Sequence, residues 1–180
     1  MDTVIDKMVE EHRGVIAYLD NAKELSLRNI ADDRFKKVLL LSAASYFEDR
    51  IRTIIIDFTG VASNNNEMVI AFVKSKAITR QYHTYFDWEG KNANAFFALF
   101  GSTFSDQAKK DVQSDANLEE AILAFLDIGK VRNALVHLNF ASYFVEKTTD
   151  EIYELYKKSR RFIEYLERKL SQSDQQQKEG

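Results

Sequence analysis

Proline is absent from the whole 180-residue chain, and that absence limits the fold more than any motif does. Proline breaks helices and marks turns, so a chain with none of it and only six glycines suits long uninterrupted helices far better than a turn-rich β fold. Cysteine is also absent, which excludes a disulfide framework and a thiolate metal site. Hydrophobic residues make up 45% and charged residues 29%, the balance of a globular chain of one domain. The net charge of −3 argues against a broad nucleic-acid-coating surface but leaves room for a local cationic groove. No charged start leads into an apolar run and no apolar run reaches membrane-spanning length, so the expected location is the cytoplasm, away from membranes.

Helical periodicity predicts four long helices, near 2–27, 34–59, 117–138 and 150–171. In the first, Val4, Met8, Val15, Leu19 and Ala22 form the stripe, with His12 packed at its edge. A polar joint at 29–33 follows, with Asp32 or Asp33 as N-cap. The second carries Leu40, Ala44, Phe47, Ile51, Ile54 and Phe58 inward and stops at Gly60. Ser45, Glu48 and Arg52 run beside that stripe, either as a solvated flank or as the wall of a cleft. Asn117 with Glu120, and Thr148 with Glu151, match the capping-box pattern and open the last two helices. A single domain over 1–171 would end in a polar tail, 172–180.

Between the second and third long helices, residues 64–113 predict short helices packed on the bundle. Residues 67–86 carry Met68, Phe72, Ile78 and Tyr82 at helical spacing. Arg80-Gln81-Tyr82-His83-Thr84-Tyr85-Phe86 alternates aromatic and polar groups, as nucleic-acid contacts do and as packed helix surface does more often. Asp87-Trp88-Glu89-Gly90 is a turn, and Phe96, Phe97 and Phe100 mark a short helix closed by Gly101.

Chemistry concentrates in Lys130-Val131-Arg132-Asn133-Ala134-Leu135-Val136-His137. Two apolar stripes run side by side through this helix, and one of them includes Gly129 and Arg132. A charge so placed is costly unless it is paired or faces a polar cleft, and the glycine permits close approach of another backbone or subunit. Arginine can hold two phosphate oxygens at once, histidine titrates near neutrality, and Asn133 can orient either partner. Together they suit attack of a ribose 2′-hydroxyl on its neighbouring phosphate, with His137 moving the proton and Arg132 stabilising the charge, and with no metal or cofactor. Five residues span about 140° of helix rotation, so Arg132 and His137 do not stack on one face, whereas Asn133 and His137 do. On the residues alone the favoured reading is a helix end where Arg132 and His137 pair with nearby carboxylates or backbone carbonyls. P-loop, dinucleotide, zinc and nucleophile-elbow patterns are all missing.

Arg132-Asn133-Ala134-Leu135-Val136-His137 resembles the Arg-x4–6-His motif of the HEPN superfamily, with a polar residue directly after the arginine and one helix still to come. Ala44-Ser45-Tyr46-Phe47-Glu48 is similar to the segment many members carry in the second helix, and Asn92 to Gly101 looks like the insert of the RiboL-PSP and MAE-type subgroups. The resemblance implies an all-α HEPN-like bundle and a homodimer that brings two motifs to one cleft. It also implies metal-independent RNA cleavage leaving a 2′,3′-cyclic phosphate, in a toxin or anti-phage effector with an antitoxin or defence-system partner. Arg132 and His137 would be catalytic, Asn133 and Glu48 supporting, and Lys130 RNA-binding. Members without the motif only bind, so a non-catalytic module for RNA or a partner protein is the alternative, and a structural adaptor a third.

Overall fold

The computed structural model describes residues 2–176, and among them every regular element is helical. Helix α1 spans Val4–Asn21, α2 Leu25–Ala62, α3 Glu67–Val73, α4 Asn94–Ala98, α5 Ser102–Ser114, α6 Ala116–His137 and α7 Thr149–Gln176. A π-helical turn at Lys74–Ile78 and a 3-10 turn at Tyr82–Thr84 sit between α3 and α4. The architecture is the expected all-α bundle: α7 packs along α6 and α2, and α1 closes on α2. No described helix is long and apolar enough to cross a membrane.

Several helix ends lie elsewhere than the sequence predicts. No joint interrupts 29–33, because α2 starts at Leu25 and runs unbroken. The chain reverses instead at Ala22–Glu24, where Lys23 adopts a left-handed φ of 61°. Neither Asp32 nor Asp33 caps a helix. Asp32 accepts the Thr149 hydroxyl (2.7 Å) and faces His12 Nε2 (3.2 Å), while Asp33 pairs with Lys36. Gly60 does not stop α2, which continues to Ala62 and ends where Asn64 and Asn65 turn left-handed. Asn65 N–H bonds the Gly60 carbonyl (2.7 Å), so the asparagines supply the terminating geometry. The cap of α6 is Asp115, which accepts from the N–H groups of Asn117 and Leu118; Asn117 and Glu120 are already inside the helix. The box at α7 holds: Thr148 N–H donates to Glu151 (2.7 Å) and Glu151 N–H donates to the Thr148 hydroxyl (3.2 Å). Helix α7 passes the expected boundary at 171 and reaches Gln176, and the rest of the expected tail, 177–180, lies outside the described residues.

The inward face of α1 is rotated by one residue from the predicted stripe. Ile5, Val9 and His12 are buried, whereas Val4 and Val15 are exposed. His12 is a packed histidine, stacked on Phe35 at 3.8 Å. The expected core of α2 is met at Leu40, Ala44, Phe47, Ile51 and Ile54. Met68 and Phe72 of α3 point outward, so that short helix is not part of the core. The inserted region still enters the bundle. Phe96 and Phe97 are buried, and Phe86 stacks on Phe96 (4.9 Å) and meets Phe125 edge-on (4.9 Å).

Asp32 joins α1, α2 and α7. Burial raises its carboxyl pKa, but the hydrogen bonds from Thr149 and His12 and the nearby charge of Lys36 outweigh that and hold it below the ordinary value. A depressed folded pKa stabilises above the unfolded value and is lost as pH falls through the folded one. Asp32→Asn keeps an acceptor oxygen and removes the titration. It is expected to lower stability at pH 7 by about 1 kcal/mol, and urea titrations should show the difference from wild type shrinking as pH drops below about 4.

Candidate active site

A cleft of about 500 Å³ opens between α2, α6 and the segment 80–88. Helix α6 contributes Ile128, Gly129, Arg132, Asn133, Val136 and His137, two adjacent rows at i and i+4. This pairing of rows brings Arg132 and His137 to one cavity although α6 stays helical through His137. Helix α2 contributes Ala44, Phe47 and Glu48; of the row Ser45, Glu48 and Arg52 only Glu48 lines the cleft, while Ser45 and Arg52 are exposed flank.

Arg132 is half-buried, and its Nη1 donates to Asn133 Oδ1 at 3.2 Å. Among the described residues no carboxylate lies within ion-pair distance of Arg132, and His137 is exposed with no hydrogen-bond partner. The pairing expected of a purely structural helix end is therefore not made. Glu48 is also half-buried, but its ion partner is Arg52 (3.8 Å), one turn along α2, rather than Arg132 or His137. Lys130 does not line the cleft; it is exposed on the far row of α6 and paired with Glu89.

Arg80, Tyr82, His83 and Trp88 complete the wall. The alternating aromatic and polar run signals Arg80, Tyr82 and His83 in sequence, while Trp88 reads there only as part of a turn, and nothing tells that they face the Arg132 motif. Several bonds fix this limb. The Thr79 hydroxyl and N–H both bond the Lys74 carbonyl (2.8 and 2.9 Å), Tyr85 donates its hydroxyl to the Ala77 carbonyl, and Trp88 Nε1 donates to the His83 carbonyl (3.0 Å). Arg80 holds a left-handed φ of 59°, a conformation costly for a residue with a Cβ and concentrated at functional sites. Burial pushes the Tyr82 phenol far up, Glu48 pushes it further and Arg132 opposes, so Tyr82 stays neutral.

Gly129 makes the limb's position possible. A Cβ there would lie 2.1 Å from Trp88 Cζ3. The close approach that the sequence suggested for another backbone or subunit is thus taken by an indole of the same chain. Beyond His137 the chain leaves α6 and is held from α2: buried Lys37 donates to the carbonyls of Phe140 (3.0 Å) and Ala141 (3.4 Å). Among the described residues no group of three or more His, Asp or Glu is placed to hold a metal ion.

The RiboL-PSP-HEPN family model matches residues 9–172, and the chain belongs to that family. The match takes in the whole cleft, including the inserted limb. No curated protein and no solved structure matches the chain.

Gly129→Ala is expected to cost about 1–3 kcal/mol by overpacking, although alanine is favoured over glycine in a helix by about 1 kcal/mol. Trp88 is the sole tryptophan, so its emission should shift as the ring is displaced. Gly14, with nothing within 4 Å of an added Cβ, supplies the contrast: Gly14→Ala should raise the melting temperature.

Proposed function

We propose that this protein is an endoribonuclease that cleaves RNA without a metal ion, leaving a 2′,3′-cyclic phosphate and a 5′-hydroxyl. The observation that carries the reading is the half-buried Arg132, which faces a cleft beside His137 with no carboxylate among the described residues within ion-pair distance. A half-buried guanidinium so placed is matched by a phosphodiester, whose two non-bridging oxygens fit its planar fork. Asn133 holds one prong of that fork in place. His137 moves a proton as O2′ attacks phosphorus, and Arg132 stabilises the charge that builds on the phosphoryl oxygens. Glu48 supports the site from α2 and Tyr82 from the inserted limb. Lys130 stands outside the cleft and serves at most a flanking phosphate that displaces Glu89. Such an enzyme suits a toxin or anti-phage effector restrained by an antitoxin or another defence-system protein, working in the cytoplasm.

One observation favours the alternative of a HEPN module that binds RNA or a partner protein without cutting it: no side chain among the described residues orients the His137 imidazole. Incubation with total RNA in EDTA separates the two readings. Cleavage should persist in EDTA, vanish in His137→Ala with the melting temperature kept, and fall about 10²–10³-fold in Arg132→Lys, since a point charge cannot replace the fork. RNA retained intact on the wild-type protein would establish the binding module instead.

We further propose a homodimer, formed over the exposed apolar run beyond the motif: Leu138, Phe140 and Phe144. Light scattering at micromolar concentration should give twice the mass of one chain, and Phe144→Asp should reduce it to the monomer value.

A further inference from the structure

Transesterification by a 2′-hydroxyl moves two protons. One leaves O2′ as the O2′–P bond forms, and one reaches O5′ as the P–O5′ bond breaks. A single imidazole in one protonation state serves only one of these transfers in a given step. The cleft holds a second imidazole. His83 lines the same cavity as His137, from the opposite wall. We infer that His83 is the partner proton-transfer group, acting opposite His137 within one chain on a phosphodiester held between Arg80 and Arg132. This inference rests on the ribonuclease reading above.

The local geometry suits the role. Tyr82 is turned onto Trp88 and Phe86, with ring centroids 5.5 and 6.1 Å away. That leaves the next residue, His83, on the open side of the 3-10 turn, where its ring is exposed. Its backbone is fixed all the same, because its carbonyl accepts from Trp88 Nε1 and the Thr84 hydroxyl clips the turn to the Gln81 carbonyl (2.7 Å). A fixed backbone carrying a solvent-accessible imidazole allows protonation between turnovers without loss of position. Arg80 strengthens the case. It sits three residues earlier on the same limb, among the described residues it has no carboxylate within ion-pair distance, and the chain keeps it in a left-handed conformation that glycine or asparagine would adopt more readily. The two walls thus each present a guanidinium and an imidazole: Arg80 with His83, and Arg132 with His137. The remaining titratable groups facing them are Glu48, which is paired with Arg52, and the phenol of Tyr82. Glu48 is committed to that ion pair and burial holds the proton on the Tyr82 phenol, which leaves the two imidazoles to move protons.

The step balances without a co-reactant. One imidazole takes the proton from O2′, the imidazolium opposite gives its proton to O5′, and the products are the cyclic phosphate and a 5′-hydroxyl. Solvent exchange then restores both rings.

The test uses an oligoribonucleotide with a single scissile linkage, prepared with either the ordinary 5′-oxygen or a 5′-sulfur in its place. A thiolate leaves without a proton, so the sulfur linkage no longer needs the acid. His83→Gln and His137→Gln are each expected to lose about 10²–10⁴-fold on the oxygen linkage. On the sulfur linkage one variant should recover to near the wild-type rate and the other should stay defective, which identifies the acid and the base. His83→Gln cutting the oxygen linkage at the wild-type rate would overturn the inference. So would any result in which the two variants respond alike to sulfur, since His83 would then act through binding alone. His83→Asn and a melting curve guard against a folding defect. A wild-type protein that cuts neither linkage would bring down the ribonuclease reading itself, an outcome distinct from the loss of His83's role alone.

Discussion

The indole of Trp88 rests on the bare backbone of Gly129, and the cleft depends on that contact. Any side chain at 129 would overlap the ring. Helices in bundles present side chains outward, which keeps a neighbouring segment several ångströms away from the helix axis. A glycine removes that spacer, and a large flat ring fills the notch. Trp88 also bonds the His83 carbonyl and meets Tyr82, Phe86 and Phe125 at centroid distances of 5.1–5.8 Å. One contact therefore seats the inserted limb on α6 one turn before Arg132. Without it, Arg80 and His83 would have no fixed relation to Arg132 and His137.

Charge distribution follows from that seating. The chain is acidic overall, yet two guanidiniums and two imidazoles line the cleft against a single carboxylate. The carboxylate, Glu48, is drawn towards Arg52 along its own helix. Elsewhere the fold pairs its cations freely: Arg13 with Asp150, Arg161 with Asp115, Lys147 with Asp127, Lys130 with Glu89. Against that background an unpaired Arg132 is not a shortage of acidic partners. Its partial burial costs solvation that no anion among the described residues repays, and an anionic ligand entering the cleft would gain that interaction.

The bundle was legible in the sequence because periodicity and the absence of proline both report on helices. The four long elements and the burial of Phe47, Ile51 and Phe125 follow from spacing alone. Helix ends were less legible, since capping depends on tertiary partners. Asp32 looks like a cap until Thr149, more than a hundred residues away, claims its carboxylate. Gly60 looks like a stop, yet the left-handed turn falls on Asn64 and Asn65. In the cleft, Arg132, Asn133 and His137 were recognisable from their residue types and order. Their convergence was not, because it depends on the width of the surface that α6 exposes to its neighbours. Gly129 was noticed as a site of close approach, but only the packing identifies the visitor as Trp88. Arg80 and His83 carried a sequence signal that ordinary helix surface also produces, and only the fold separates the two.

The place of the motif at the end of α6 reconciles exposure with order. A histidine in the middle of a bundle helix would be walled in by its neighbours. At the last turn His137 is open, but helix ends fray unless they are held. Here the hold comes from outside the helix. Lys37 of α2 is buried, and its ammonium is spent on the carbonyls of Phe140 and Ala141, just past the motif. The Val145 side chain and the Lys147–Asp127 pair secure the same strap further along. Burying an ammonium against neutral carbonyls is an expensive way to fix a loop, and a hydrophobic anchor would serve stability better. Carbonyl bonds instead fix the backbone itself, and it is the backbone after His137 that decides whether α6 keeps its last turn. The cost is thus placed where it holds the backbone that follows the motif and leaves the mouth of the cleft open.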